Sequence, residues 1–278
     1  MESISGRLLE TLRKKRGFIC DMDGVIYHGN NLLDGVHEFI SEIERLGIKF
    51  LFLTNNSGRT PKELQQKLSR LGIEMHESHF YTSALATASF LSAQSPGCSA
   101  YVIGDAGLTN ALYDEGISMN EVNPDYVVVG ETRTYNYEKI EEAMRLVLAG
   151  AKLIGTNYDL SGPSESGLMP ATRALIAPLE MVTGKTAYFI GKPNPLMMRA
   201  AMAKLQCSPE ETVIVGDRMD TDIIAGIESE IDTILVLSGV TSHESMFEFP
   251  YRPGYVAENV GHIAGIMSAI DTLNNTSD

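Results

Sequence analysis

The chain has few cysteines, a shortage of cations and no long apolar run. Its three cysteines, Cys20, Cys98 and Cys207, are odd in number and widely spaced. With no Cys-x-x-Cys pair they indicate neither a zinc site nor a disulfide framework, and such usage suits a reducing, cytoplasmic compartment. Lysine and arginine number 22 against 36 aspartates and glutamates, a net charge of −14. So acidic a surface repels nucleic acid and anionic membranes, and neither is an expected partner. An anionic substrate must then be drawn in locally, by a metal ion or a few placed donors. No apolar run approaches the ~20 residues of a membrane helix. The early basic residues Arg7, Arg13, Lys14, Lys15 and Arg16 are not followed by the apolar core of a signal peptide, so none is expected. Hydrophobic residues at 44 % and charged residues at 21 % are ordinary for a globular protein and exclude disorder for the body of the chain. A length of 278 residues suits one large domain or two ordinary ones.

Short apolar runs rich in Val, Ile and Phe recur along the chain, each ending in a polar residue. They are Gly17–Asp21, Lys49–Thr54, Ala100–Asp105, Tyr126–Glu131, Lys152–Thr156, Tyr188–Lys192, Thr212–Asp217 and Thr233–Ser238. Their length and composition predict strands buried on both faces. Helical periodicity lies between them, as in Val36, Phe39, Ile40, Ile43 and Leu46, closed by Gly47. Thr60-Pro61-Lys62-Glu63 has the form of a capping box with proline at the first helical position. Further helices are expected near 106–115, 137–149, 171–182, 194–205, 221–228 and 258–269. Strands alternating with helices predict an α/β protein with a parallel, Rossmann-like sheet. In such sheets ligands bind beyond the carboxyl ends of the strands, where Asp21, Thr54, Lys192 and Asp217 fall. If their strands are neighbours in one sheet, the four share one crevice.

Four strings carry the candidate chemistry. Asp21-Met22-Asp23-Gly24-Val25 puts two carboxylates in one turn, suited to a nucleophile and a general acid and base. Taken alone, it reads equally as a solvated turn. Thr54-Asn55-Asn56-Ser57 offers consecutive donors for phosphate oxygens, or an ordinary strand-to-helix turn. Gly191-Lys192-Pro193-Asn194-Pro195 fixes a cation before a helix start. Gly216-Asp217-Arg218-Met219-Asp220-Thr221-Asp222 ends a strand in carboxylates, and oxygen donors suit Mg2+. Asp220 reads as favourable charge at a helix N-terminus and is given no further role.

In this order, at the ends of strands, the four strings resemble the haloacid dehalogenase superfamily of phosphatases, and specifically its NagD-like, class IIA branch. Tyr81-Thr82-Ser83-Ala84, Gly155-Thr156-Asn157-Tyr158-Asp159 and Leu235-Val236-Leu237-Ser238-Gly239-Val240 add to the resemblance, which runs from about Phe18 to Asn259. One departure is Tyr158, where the family commonly has proline. The resemblance implies a Mg2+-dependent phosphatase acting on small phosphate monoesters, of the sugar phosphate or nucleoside monophosphate class, through an aspartyl-phosphate. It makes Asp21 the nucleophile and Asp23 the acid and base. The ion is implied on Asp21, the Asp23 carbonyl and Asp217, with Asp222 holding a water of its coordination sphere. Gly24, Thr54, Asn55, Asn56 and Lys192 are implied to bind the phosphate, with Lys192 also neutralising charge. About 130 residues separate the second and third strings, against the ~30 of one crossover, so an inserted smaller α/β domain is expected. The expected division is a discontinuous core, 1–83 and 185–278, and an inserted cap, 84–184. By resemblance the cap selects substrate, chiefly through Asn157 and Asp159, and the enzyme forms a homodimer. The alternatives are a phosphate-ester binding protein or a phospho-receiver-type signalling protein without turnover. A receiver needs neither Asp23 nor the insertion.

Overall fold

The computed structural model describes residues 4–164 and 167–270. It is an α/β protein with two parallel sheets, in two compact units. The first unit comprises Met1–Leu53, Arg70–Ile73 and Met198–Asp278; the second comprises Thr54–Ser69 and Glu74–Met197. All eight expected runs contain strand, but burial on both faces does not hold for all of them: Tyr188–Phe189 is an edge strand with Tyr188 exposed, and Ser99–Ile103 is only partly buried. Gly17–Cys20, Tyr126–Val129 and Thr212–Gly216 are buried at every position. Among the described residues no helix is long and apolar enough to cross a membrane.

In the first unit the strands lie in the order Tyr255–Ala257, Asp232–Val236, Thr212–Gly216, Gly17–Cys20, Lys49–Thr54, and those pairs are parallel. From Gly17–Cys20 the chain moves to one side, to Lys49–Thr54. It later returns to the opposite side, to Thr212–Gly216. The strand order therefore reverses between Gly17–Cys20 and Thr212–Gly216, the position at which open α/β sheets bind ligands. Register fixes the two strand ends: Cys20 pairs with Val215, and the Asp21 amide donates to the Val215 carbonyl at 2.9 Å. The helix Val36–Arg45 covers this sheet with Val36, Phe39, Ile40 and Ile43, the face its periodicity predicts. Phe39 stands edge-on to Phe50 and tilted against Phe18, and Phe50 meets Phe52 at a centroid distance of 4.6 Å. Burial of each such ring contributes about 1.5–3 kcal/mol, which anchors the two strands that lead to Asp21 and Thr54.

In the second unit the order is Tyr188–Phe189, Lys152–Gly155, Tyr126–Val129, Ser99–Ile103, Ser118–Met119, again parallel. Helices Tyr137–Ala149 and Thr172–Thr183 bury Ala143, Leu146, Val147, Leu175, Ile176 and Leu179 in one cluster with Val127, Val129 and Leu153. The capping box forms as expected. The Thr60 amide donates to Glu63 at 2.8 Å, and the Glu63 amide donates to the Thr60 hydroxyl at 3.2 Å.

One conditional expectation is corrected. The strand Tyr188–Phe189, which leads to Lys192, pairs with Lys152–Gly155 and so belongs to the second sheet, while the strands leading to Asp21 and Asp217 belong to the first. The four polar strand ends do not come from one sheet. An apolar run marks a strand but not its partner, and Tyr188–Phe189 finds its register against Ile154 and Gly155.

Candidate active site

The first unit gathers three of the expected carboxylates. One ligand oxygen from each of Asp21, Asp217 and Asp222 lies within 4.8 Å of the others. Asp21 is 9 % exposed, Asp217 1 % and Asp222 0 %. Asp21 and Asp217 follow the two strands that flank the reversal of strand order, so the sheet itself places them side by side. Asp222 arrives by a different route. The segment expected to begin an α-helix near 221 instead opens with a π-helical turn, Met219–Ile223, before the α-helix Ile224–Glu228. Both the Asp222 and Ile223 amides donate to the Arg218 carbonyl, at 3.1 Å each. This wide turn carries the Asp222 side chain back over its own strand: a Cβ on Gly216 would stand 2.2 Å from the Asp222 Cβ. The Arg218 amide donates to Asp222 Oδ2 at 3.2 Å. Asp220 points elsewhere and pairs with the Arg218 guanidinium at 2.8 Å.

Asp217 is held between glycines. A Cβ on Gly24 would approach its Oδ2 to 2.5 Å, and one on Gly239 to 2.1 Å, and Gly24 has a φ of 80° besides. The Val240 amide donates to Asp217 Oδ2 at 2.7 Å, and the Ser238 hydroxyl donates to the Gly24 carbonyl at 2.8 Å. Gly24 thus lets the turn after Asp21 close on Asp217. Asp23 is in the same turn, half-buried, and makes an isolated bridge to Tyr27. At an effective dielectric of 20, two ionised carboxylates 4.8 Å apart repel by about 3 kcal/mol. A small cluster of nearly buried oxygen donors therefore fits a hard divalent cation, and glycines where any side chain would intrude keep room for it.

The second unit gathers the remaining expected residues. Thr54 ends the strand Lys49–Thr54 and is buried; its hydroxyl accepts from the Asn56 amide at 3.1 Å. The Asn55 side chain clamps the main chain of Lys192, accepting from its amide at 2.8 Å and donating to its carbonyl at 3.0 Å. The same Asn55 Nδ2 donates to Asp159 Oδ2 at 2.8 Å. Lys192 is 2 % exposed and precedes a cis peptide bond to Pro193. Asn157 is fully buried, and its Nδ2 donates to the Asn55 carbonyl at 2.8 Å. Tyr158 is the exposed member of that turn; its ring packs edge-on to Phe189, and the Arg173 guanidinium lies over both rings.

One member of this cluster, Glu131, is absent from the motifs. Its carboxylate accepts from Asn56 Nδ2 at 2.7 Å and Asn157 Nδ2 at 3.3 Å, and its amide donates to the Ser57 hydroxyl at 3.0 Å. It stands just beyond the strand Tyr126–Val129, so the rule that singles out Asp21 and Asp217 covers it too.

Residues 18–118 match a family model described as haloacid dehalogenase-like hydrolase, and residues 189–263 a second described as HAD-hydrolase-like. The chain is 41 % identical over 247 residues to a dihydroxyacetone phosphatase of Corynebacterium glutamicum, a match spanning 89 % of this chain and 90 % of the relative. It is 42 % identical over 248 residues to the ribonucleotide monophosphatase NagD of Escherichia coli, across 89 % of this chain and 98 % of that protein. Among solved structures, 4-nitrophenylphosphatase from Thermotoga maritima is similar with a TM-score of 0.89 at 32 % identity, covering 92 % of this chain and 98 % of that one.

Proposed function

From the premise that the chain belongs to the haloacid dehalogenase-like hydrolases and is a NagD-like phosphoric monoester hydrolase, we propose that it is a Mg2+-dependent phosphatase that works through an aspartyl-phosphate on Asp21. Its substrates are small phosphate monoesters of the sugar phosphate or nucleoside monophosphate class. The observation that carries the reading is the cluster of Asp21, Asp217 and Asp222 where the strand order reverses. The relatives named above are phosphatases, which favours turnover over a binding or receiver role.

Asp21, Asp217 and the Asp23 carbonyl would hold Mg2+, with Asp222 holding a water of its coordination sphere, and the ion when bound offsets the repulsion between a carboxylate nucleophile and a phosphate dianion. Asp21 attacks phosphorus through a carboxylate oxygen, the P–O bond to the leaving group breaks, and the phosphoryl group passes to Asp21. Asp23 gives its proton to the departing oxygen. It then takes a proton from the water that attacks the aspartyl-phosphate, which releases inorganic phosphate and restores both carboxyl groups. Asp23 must therefore begin protonated while Asp21 is ionised, a division that two nearby carboxylates in different surroundings achieve. Thr54 and the main chain at Gly24, Asn55 and Asn56 are proposed to bind phosphoryl oxygens, with Lys192 supplying positive charge. Segment 84–184 is proposed to select the substrate, through the turn that carries Asn157, Tyr158 and Asp159. A cytoplasmic location is proposed from the low, odd count of widely spaced cysteines, and a homodimer is proposed by likeness to the family.

Asp23→Asn tests the acid role, because protonation matters most when the departing oxygen is basic. The variant is expected to lose on the order of 10²–10⁴-fold in kcat/KM on an alkyl phosphate such as dihydroxyacetone phosphate. It should lose far less on p-nitrophenyl phosphate. Equal losses on both esters would exclude Asp23 as the proton donor.

A further inference from the structure

Glu131 lies where three chain segments meet, and its contacts call for a carboxylate. Asn56 and Asn157 both turn their Nδ2 groups toward it. Which end of each amide faces Glu131 follows from the contacts of the other end. Asn56 Oδ1 accepts from the Gly58 and Arg59 amides, at 3.2 Å each, and Asn157 Oδ1 accepts from the Asp159 amide, also at 3.2 Å. Each asparagine therefore presents donors to Glu131, one to each carboxylate oxygen. An ionised carboxylate accepts on both oxygens, whereas glutamine offers one acceptor and one NH2 group.

The contacts continue past the asparagines. Asn157 Nδ2 and the Ser83 hydroxyl both donate to the Asn55 carbonyl, at 2.8 and 2.5 Å. Asn55 in turn clamps the Lys192 main chain and reaches Asp159. Glu131 thus fixes one asparagine within Thr54–Ser57 and one within the 156–159 turn, on either side of the residue that holds Lys192. A one-residue anchor of this kind matters for catalysis because placement errors of about 1 Å cost up to 10²-fold in rate.

We propose that Glu131 is a positioning residue of the phosphatase. As an ionised carboxylate it holds Asn56 and Asn157, and through them Asn55 and Lys192, in the arrangement the reaction needs. The proposal rests on the roles given above to Thr54, Asn55 and Lys192.

The test is Glu131→Gln in the full-length enzyme, with Glu131→Asp as the variant that keeps an acceptor on both oxygens. Side-chain amide NMR resonances of the asparagines report the contact without reference to activity, and thermal unfolding reports folding. Kinetics with p-nitrophenyl phosphate are read well below each variant's melting midpoint and normalised to folded protein. Glu131→Gln should move the Asn56 and Asn157 NH2 resonances and lower kcat on the order of 10–100-fold, with KM within about threefold. Glu131→Asp should recover a substantial part of kcat. Moved resonances with wild-type kcat would overturn the positioning role, as would a lowered melting midpoint with unchanged kcat per folded molecule. Unmoved resonances would overturn the contact itself. Wild-type enzyme assayed in parallel separates these outcomes from a failure of the phosphatase mechanism, which would show in the Asp21 and Asp23 variants whatever Glu131 does.

Discussion

Asp21→Asn is expected to leave a folded protein whose hydrolysis of p-nitrophenyl phosphate is lower by on the order of 10⁴-fold or more, the scale on which removal of a catalytic nucleophile acts. The substitution preserves shape and the main-chain bond from residue 21 to Val215. It replaces a carboxylate oxygen, which attacks phosphorus, with a neutral amide that does not. It also removes one charge from a cluster whose members repel one another, so stability should hold or rise. Loss of activity with an unchanged circular dichroism spectrum and an unchanged or raised melting midpoint is the expected pair of results. Appreciable turnover by the folded variant would reject Asp21 as the nucleophile.

The second large effect is expected on the metal rather than on phosphorus. Asp217→Asn should raise the Mg2+ concentration for half-maximal activity by about 10–100-fold, the range seen when a metal site loses well-placed support. The Val240 amide still has an oxygen to donate to, and the side chain still fits between Gly24 and Gly239. What disappears is the negative charge. Direct binding of Mn2+, followed by electron paramagnetic resonance, should weaken in parallel, which separates a binding defect from a slower chemical step. An unchanged titration by both measurements would remove Asp217 from the metal site.

Much of this arrangement was legible in the sequence because the physics behind it is local. Strands buried on both faces, such as Gly17–Cys20 and Thr212–Gly216, must be apolar throughout and so stood out, and the capping box at Thr60–Glu63 requires only four consecutive residues. Asp21 and Asp217 were legible as strand ends. The helix Ser83–Gln94 was not, because it buries Ser83, Thr87 and three alanines besides Leu91, so its inner face carries no apolar stripe. The strand Tyr255–Ala257 has three residues at a sheet edge, too few for a pattern. The place of Asp222 depends on a π-helical turn, and nothing in the spacing of Met219–Ile223 distinguishes that turn from an ordinary helix start. Glu131 was hidden differently. A single acidic residue after a strand is common, and its role emerges only when segments 26 and 75 residues away present two amides to it. Asn55 shows the complementary limit: its motif suggested a phosphate donor, while its side-chain amide is engaged with Lys192 and Asp159.

The central claim is that the phosphoryl group passes to Asp21. Asp23→Asn enzyme, which lacks the carboxylate that takes a proton from the attacking water and so hydrolyses the aspartyl-phosphate slowly, is mixed with p-nitrophenyl phosphate and Mg2+ and quenched in acid during turnover. The protein is then reduced with borohydride, digested and sequenced by mass spectrometry. Hydride converts a carboxyl phosphate to the alcohol and leaves a free carboxylate untouched. The predicted result is homoserine at position 21 and at no other aspartate, and none in a sample without ester. Unmodified aspartate at position 21 in enzyme quenched while product is forming, or homoserine at another position, would contradict the account.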